Sequence, residues 1–252
     1  MRKLNEKVAV VTGGNSGIGY AIAQAFKTEG AKVIITGRSA EKVKVAAQEL
    51  GVESIVADAI DLSAITGAAK EVKAKQGKID ILVVNAGIYT TEPVGQITEA
   101  VFDQQMGINF KGAVFTIEQF LPLLNNGGSI VNISSILAYA GMPNNAIYSA
   151  SKAALNAYTR TAASELATRK IRINAINPGP VATPIFGKTG MPEEVLNGFA
   201  QAMQERIPLK RLGQPEDIAE MAVFLASEAA SFITGGEYNV DGGMNVHPLL
   251  FT

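Results

Sequence analysis

Short apolar, β-branched runs alternate along this chain with stretches whose apolar residues recur every three or four positions. Val8-Ala9-Val10-Val11 reads as a buried strand, after which Ile18, Ile22 and Phe26 repeat at helical spacing until Gly30. Val33-Ile34-Ile35-Thr36 predicts a second strand, and Ala40–Leu50 the helix after it. Ser54–Ala57 predicts a third strand, followed by a helix over about Ala64–Lys75. Further strands are predicted at Ile81–Val84, Ile130–Ile133, Ile171–Ile176 and Tyr238–Val240, with long helical stretches over Glu99–Leu124 and Ala146–Thr168. Strands that are apolar throughout, each followed by a helix, have both faces covered, which predicts a parallel sheet. The right-handed crossovers of such a sheet make it doubly wound. The expected class is α/β: a doubly wound, seven-stranded parallel sheet with helices on both faces. No repeat or linker divides residues 1–252, so a single domain is expected. The longest irregular stretch, Asn177–Gly198, is rich in Pro and Gly and is expected to act as a lid, over about 183–203, rather than as a boundary.

Composition narrows the function. At 47% hydrophobic residues the 252-residue chain can build a sizeable core. A net charge of −1 supplies no basic field, so no nucleic-acid partner is expected. With no cysteine, disulfides and thiolate chemistry are excluded. His247 is the only histidine, and no carboxylate cluster accompanies it, so no metal site is expected. No apolar run reaches the ~18 residues of a membrane span. The opening Met1–Lys7 lacks an apolar signal core, so a cytoplasmic location is expected.

Two segments carry chemistry. Thr12-Gly13-Gly14-Asn15-Ser16-Gly17-Ile18-Gly19 joins the first strand to the first helix. Glycines there permit a tight turn and close approach to a pyrophosphate, and the helix N-terminus offers unpaired N–H groups. Tyr148 and Lys152, four apart in a helical stretch, share one face, and Ser135 stands just after the fifth strand. Strand C-terminal ends are where open α/β sheets bind ligands. A hydroxyl, a phenol and an ammonium suffice to protonate a carbonyl oxygen, and the ammonium is expected to lower the tyrosine pKa. The end of the second strand carries Gly37-Arg38 where an acidic residue would select NAD(H). A guanidinium there favours the extra phosphate of NADP(H), with NAD(H) possible if Arg38 is only a solvated charge.

The spacing Gly13-x-x-x-Gly17-x-Gly19, with Asp58, Asn85-Ala86-Gly87, Asn109, Ser135, Tyr148, Lys152, Asn177-Pro178-Gly179 and Asp241-Gly242-Gly243, resembles the short-chain dehydrogenase/reductase family from end to end. Val84 stands where many relatives carry a second Asn, a variable position. The resemblance implies a Rossmann-fold oxidoreductase that moves hydride between a nicotinamide cofactor and a ketone or secondary alcohol. It implies cofactor contacts at Gly13, Asn15, Ser16, Gly17, Ile18, Gly19, Arg38, Asp58, Ala59, Asn85, Ala86, Gly87, Tyr148, Lys152, Pro178, Gly179, Val181 and Thr183. It selects Ser135 over Ser134 by the thirteen-residue spacing to Tyr148, and gives Asn109 a water linking Lys152 to solvent. It also implies a homotetramer, to which the apolar Val246–Phe251 terminus and the two long helical stretches contribute. The apolar residues of the lid, with Ile136, Tyr139 and Ala140 near Ser135, lead to a small to medium apolar ketone as substrate; a 3-oxoacyl thioester on carrier protein, or a cofactor-sensing role without catalysis, are the alternatives.

Overall fold

The computed structural model describes residues 2–183 and 193–246. Seven strands form one parallel sheet in the order β3-β2-β1-β4-β5-β6-β7. They are β1 (Val8–Thr12), β2 (Lys32–Gly37), β3 (Glu53–Val56), β4 (Ile79–Val84), β5 (Leu124–Ile133), β6 (Arg172–Pro178) and β7 (Glu237–Val240). The helices are α1 (Gly17–Thr28), α2 (Ala40–Leu50), α3 (Leu62–Gln76), α4 (Glu99–Met106), α5 (Ala113–Phe120), α6 (Ala146–Leu166), α7 (Glu193–Arg206) and α8 (Pro215–Ala226).

The apolar runs of β1, β2, β4, β5 and β6 are continuous because each of these strands feeds two cores. In β1, Ala9 and Val11 face the cluster that holds Ile22 and Phe26 of α1, Val43 of α2 and Ile218 and Val223 of α8. Val10 faces the opposite cluster, with Ile117 and Phe120 of α5 and Leu155 and Leu166 of α6. β2 splits the same way, with Val33 and Ile35 on one side and Ile34 on the other. Each fully buried Val, Leu, Ile or Phe contributes about 1.5–3 kcal/mol, so a polar substitution on either face would be costly.

β1 is flanked by β2 on one side and β4 on the other. The chain therefore leaves β1 and β4 in opposite directions, and a crevice opens at their C-terminal ends, where ligands bind in such sheets. The helices start on local signals: Ser39, Asp61 and Thr98 cap α2, α3 and α4, and Pro215 opens α8 within a Gln214/Asp217 capping box.

Some element bounds differ from expectation. The stretch Glu99–Leu124 is not one helix. α4 ends at Met106, a π turn occupies Gly107–Gly112, and α5 gives way to a 3-10 turn over Leu121–Leu123 that contains Pro122. At Gly112 the helix lies so close to the Ala59 carbonyl that a Cβ would fall 2.0 Å from its oxygen, and Gly is what permits this contact. Leu124 belongs to β5, which begins six residues before the apolar run and carries a register irregularity opposite Ile79–Ile81. α6 ends at Leu166, and a 3-10 turn over Ala167–Arg169 replaces its expected last residues. β6 runs through Pro178, which pairs with Val240 at the end of the ladder. Within the stretch taken as irregular, α7 claims residues from Glu193 onward. Most of the first half of the expected lid, 184–192, lies outside the described residues, as does the terminus from 247, with His247.

Candidate active site

The loops after β1 and β4 are locked together. Thr12 Oγ1 donates to Val83 O (3.2 Å) and accepts from the N–H groups of Asn85 (2.9 Å) and Ala86 (3.1 Å). Asn85 Nδ2 returns two bonds, to Thr12 O (2.9 Å) and Gly13 O (3.1 Å). This crossing explains the glycines. A Cβ at Gly19 would sit 2.4 Å from both Asn85 Nδ2 and Gly13 O, and one at Gly13, whose φ is +64°, 2.9 Å from Asn85 Nδ2. Ser16 precedes α1 without a side-chain cap, so the first-turn N–H groups of the helix face the loop.

Beside this loop lies a cavity of about 500 Å³. Its lining includes Gly13, Asn15, Ser16, Gly17, Ile18, Arg38, Asp58, Ala59, Asn85, Ala86, Gly87 and Thr183. Gly19 supports the loop from behind and is absent from that lining. Ser39 and Lys42 stand beside Arg38 and add a second cation that sequence reasoning overlooked. Gly37 is closed to substitution: a Cβ would meet Asn15 Oδ1 at 2.5 Å and Val43 Cγ2 at 2.6 Å. The glycine cradle, the open helix N-terminus and the two cations fit a dinucleotide with its phosphates.

A second cavity, about 180 Å³, adjoins the first and shares Ile18, Asn85, Gly87, Ile88, Tyr89 and Thr183 with it. Ser135, Tyr148, Lys152, Pro178, Gly179 and Val181 line it. Three parts of the fold bring these together: the end of β5, one face of α6, and the end of β6 with the segment after it. Val181 is fixed by a parallel bridge to Gly213. The rest of the described wall is Ile133, Ser134, Ile136, Leu137, Met142, Pro180, Met203 and Met244. Lys152 is the only charged side chain among the described lining residues.

Ser135 caps the short turn Ile136–Ala138 and accepts from Leu137 N (3.1 Å). Ser134 instead donates to Lys152 O (3.2 Å), tying the strand end to α6. Lys152 donates to Ile133 O (2.9 Å), with its Nζ 5.8 Å from the centre of the Tyr148 ring. Burial pushes the Lys152 ammonium down to about 8. Burial pushes the Tyr148 phenol up to about 12, against a hydrogen bond with Ser135 that favours its ionised form. The expected lowering of the tyrosine pKa by the lysine is thus not found in this arrangement. The Nζ is spent on a backbone carbonyl, and desolvation is the largest influence on the phenol.

Asn109 sits in the π turn, 1% exposed, and lines neither cavity. Its Oδ1 accepts from Ile88 N (2.8 Å), and its Nδ2 donates to Ile88 O (3.0 Å) and Ser151 Oγ (3.2 Å). Both amide protons are therefore spent on the protein itself. Tyr139 does not extend the apolar wall: its hydroxyl bonds Glu237 and accepts from Asn156 and Asn177, each at 3.1 Å. The turn over Ile136–Ala138 carries it away from the pocket, so Leu137 and Met142 take that place. The loop residues Ile88, Tyr89, Met142 and Met244 also escaped sequence reasoning, since nothing in their spacing marks them.

Among the described residues no group of His, Asp or Glu could hold a metal ion, and no helix is long and apolar enough to cross a membrane.

Comparison with known proteins places these features in context. Residues 13–245 match a family profile described as enoyl-(acyl carrier protein) reductase. The chain is 36% identical over 249 residues to the 3-oxoacyl-acyl-carrier-protein reductase FabG of Thermotoga maritima, covering 96% of this chain and 99% of that one. It is 35% identical over 250 residues to the NADP-dependent (R)-specific alcohol dehydrogenase of Lentilactobacillus kefiri, covering 96% and 97%. A crystal structure from Brucella melitensis, described as a short-chain dehydrogenase/reductase of the glucose/ribitol dehydrogenase type, superposes with a TM-score of 0.91 at 35% identity, covering 98% of this chain and 100% of that one.

Proposed function

The chain belongs to the short-chain dehydrogenase/reductase family of NAD(P)-dependent oxidoreductases, and from that premise we propose that it reduces a small to medium apolar ketone to the secondary alcohol with NADPH, reversibly. The observation that carries this reading is the apolar pocket joined to the nucleotide cavity, with Ser135, Tyr148 and Lys152 converging on it. Bound NADPH supplies a hydride to the carbonyl carbon. Ser135 hydrogen-bonds the carbonyl oxygen and orients it. Tyr148 gives that oxygen its proton; a phenol with a pKa near 12 is protonated at neutral pH, as reduction requires. The alkoxide that forms is a stronger base than a phenolate, so the transfer runs downhill. Lys152 holds the nicotinamide-side ribose and, once turned from Ile133 O, places its charge near the tyrosine oxygen. Asn109 supports Ile88, which follows Gly87; a water at Asn109 would use its main-chain carbonyl, since its amide protons are engaged.

Thr12, Gly13 and Asn85 shape the seat that would hold the phosphates and ribose, and Asp58 and Ala59 would hold the adenine. Pro178, Gly179, Val181 and Thr183 would hold the nicotinamide end. Arg38, joined by Lys42, is the basis for NADPH over NADH. The NADP-dependence of the Lentilactobacillus relative agrees with this preference. One domain over residues 1–252, a homotetramer and a cytoplasmic location complete the proposal. Phe102 of α4 and Phe115 of α5, 44% and 38% exposed, support the assembly.

The alternative is a 3-oxoacyl thioester reductase of fatty-acid synthesis, favoured by the family profile and the Thermotoga relative. Against it, the described pocket wall offers no second cation for a phosphopantetheine arm. The test is kcat/KM for a plain aryl or alkyl ketone against a 3-oxoacyl thioester on carrier protein. A higher value for the ketone supports the proposal, and a higher value for the carrier-bound thioester replaces it with the alternative. A protein that binds NADPH and turns over neither would be a sensor.

A further inference from the structure

Tyr89 lines both cavities, at the place where they meet. The chain on either side of it is held by two buried amides from one helical stretch. Asn109 takes both the N–H and the C=O of Ile88, at 2.8 and 3.0 Å, and Gln105 Oε1 accepts from Thr90 N at 2.8 Å. Gln105 and Asn109 are each 1% exposed, so these bonds form out of water, where an unmade partner would be costly. A third tie runs to the start of α6. Glu92 N donates at 2.9 Å to the carbonyl of Asn144, next to the Asn145 that precedes that helix. The same helix presents Tyr148 three residues later. The two tyrosine rings meet edge to face, with centroids 5.0 Å apart and planes at 87°. That is a favoured geometry for aromatic pairs, because the positive ring edge meets the negative face.

We infer that Tyr89 is a positioning residue for the general acid. Clamped from both sides, it holds the Tyr148 ring at the angle that aims its hydroxyl into the apolar pocket. The inference rests on Tyr148 being the proton donor, as proposed above. It distinguishes Tyr89 from a plain wall residue, which would affect ketone or cofactor binding alone.

The test compares the full-length protein with Tyr89→Phe, Tyr89→Leu and Tyr89→Met, using NADPH and a simple aryl ketone. Thermal melting checks that each variant is folded, and NADPH fluorescence gives cofactor affinity apart from turnover. Tyr89→Phe keeps the ring and should retain kcat within about twofold. Tyr89→Leu and Tyr89→Met lose the edge contact and should lower kcat by about three- to tenfold, the range an aromatic pair of this geometry is worth. In these variants KM for the ketone and Kd for NADPH should change less than kcat does, since the alignment of the proton donor is the main loss. Three results would overturn the inference: unchanged kcat in both non-aromatic variants, equal damage from Tyr89→Phe, or a loss confined to KM or to NADPH affinity. Wild-type protein that reduces no ketone would overturn the proposed function and this inference together, whereas an active wild type with indifferent variants would remove only the inference.

Discussion

Replacing Thr12 by Val is nearly isosteric and removes one hydroxyl from a residue 6% exposed. That hydroxyl makes three bonds: it accepts from Asn85 N and Ala86 N and donates to Val83 O. The substitution leaves two backbone N–H groups without their partner. Each orphaned group costs about 1–3 kcal/mol, and their partial burial puts both toward the lower part of that range, so the expected destabilisation is about 2–4 kcal/mol. For a chain of this size each kcal/mol is worth about 2–4 °C, which predicts a melting temperature lower by roughly 4–16 °C. The loop after β4 also loses its anchor to the glycine loop, so NADPH affinity should fall with stability. Thr12→Ser, which keeps the hydroxyl, is the control and should lie close to wild type. Denaturant unfolding and NADPH fluorescence titration measure both effects. Equal stability for the Val and Ser variants would refute the latch.

Arg38→Ala should weaken NADPH by about 10- to 100-fold, the worth of a charge-assisted bond to phosphate, and leave NADH within about threefold; equal losses measured by kcat/KM for the two cofactors would make Arg38 a surface charge. Lys152 has a folded-state pKa near 8 against an ordinary 10.5, so the folded state sheds this proton first as pH rises. Its burial therefore penalises folding below pH 8, and the penalty fades as pH rises from about 8 to 10.5. Lys152→Met should accordingly be more stable than wild type at pH 7, with the gap in unfolding free energy closing by pH 10.5; a gap that does not change with pH would contradict this. Light scattering at micromolar concentration should report a tetramer, and a monomer would defeat the assembly.

How far the sequence carries depends on whether a residue's role is local. The buried strands were legible because two-sided burial leaves an unbroken apolar run, as in Val8–Val11 and Ile81–Val84. Helix bounds were legible where a local cap marks them, as at Ala40 after Ser39. The break between α4 and α5 was not. It arises from contacts distant in sequence, with Gly112 against Ala59 and Asn109 against Ile88. Arg38 was found by its place at the end of the second strand, while Lys42 was missed because nothing in its spacing distinguishes it from a solvated helix charge. Tyr139 illustrates the opposite error. Proximity to Ser135 in sequence suggested a pocket wall, yet one 3-10 turn sends its hydroxyl to Glu237, Asn156 and Asn177. The tyrosine pKa failed for a related reason: the i, i+4 spacing puts Lys152 on the right face but does not say which atom its Nζ bonds.

The central claim is that the Tyr148 hydroxyl protonates the substrate oxygen, and the measurement that tests it most directly is the turnover number of Tyr148→Phe for a simple ketone, read from NADPH consumption beside its NADPH affinity. The variant deletes one oxygen and keeps the ring packed against Tyr89. The account predicts a fall in kcat of at least about 10²- to 10⁴-fold, the contribution of a general acid, with NADPH binding nearly unchanged. A variant that turns over at close to the wild-type rate would contradict it.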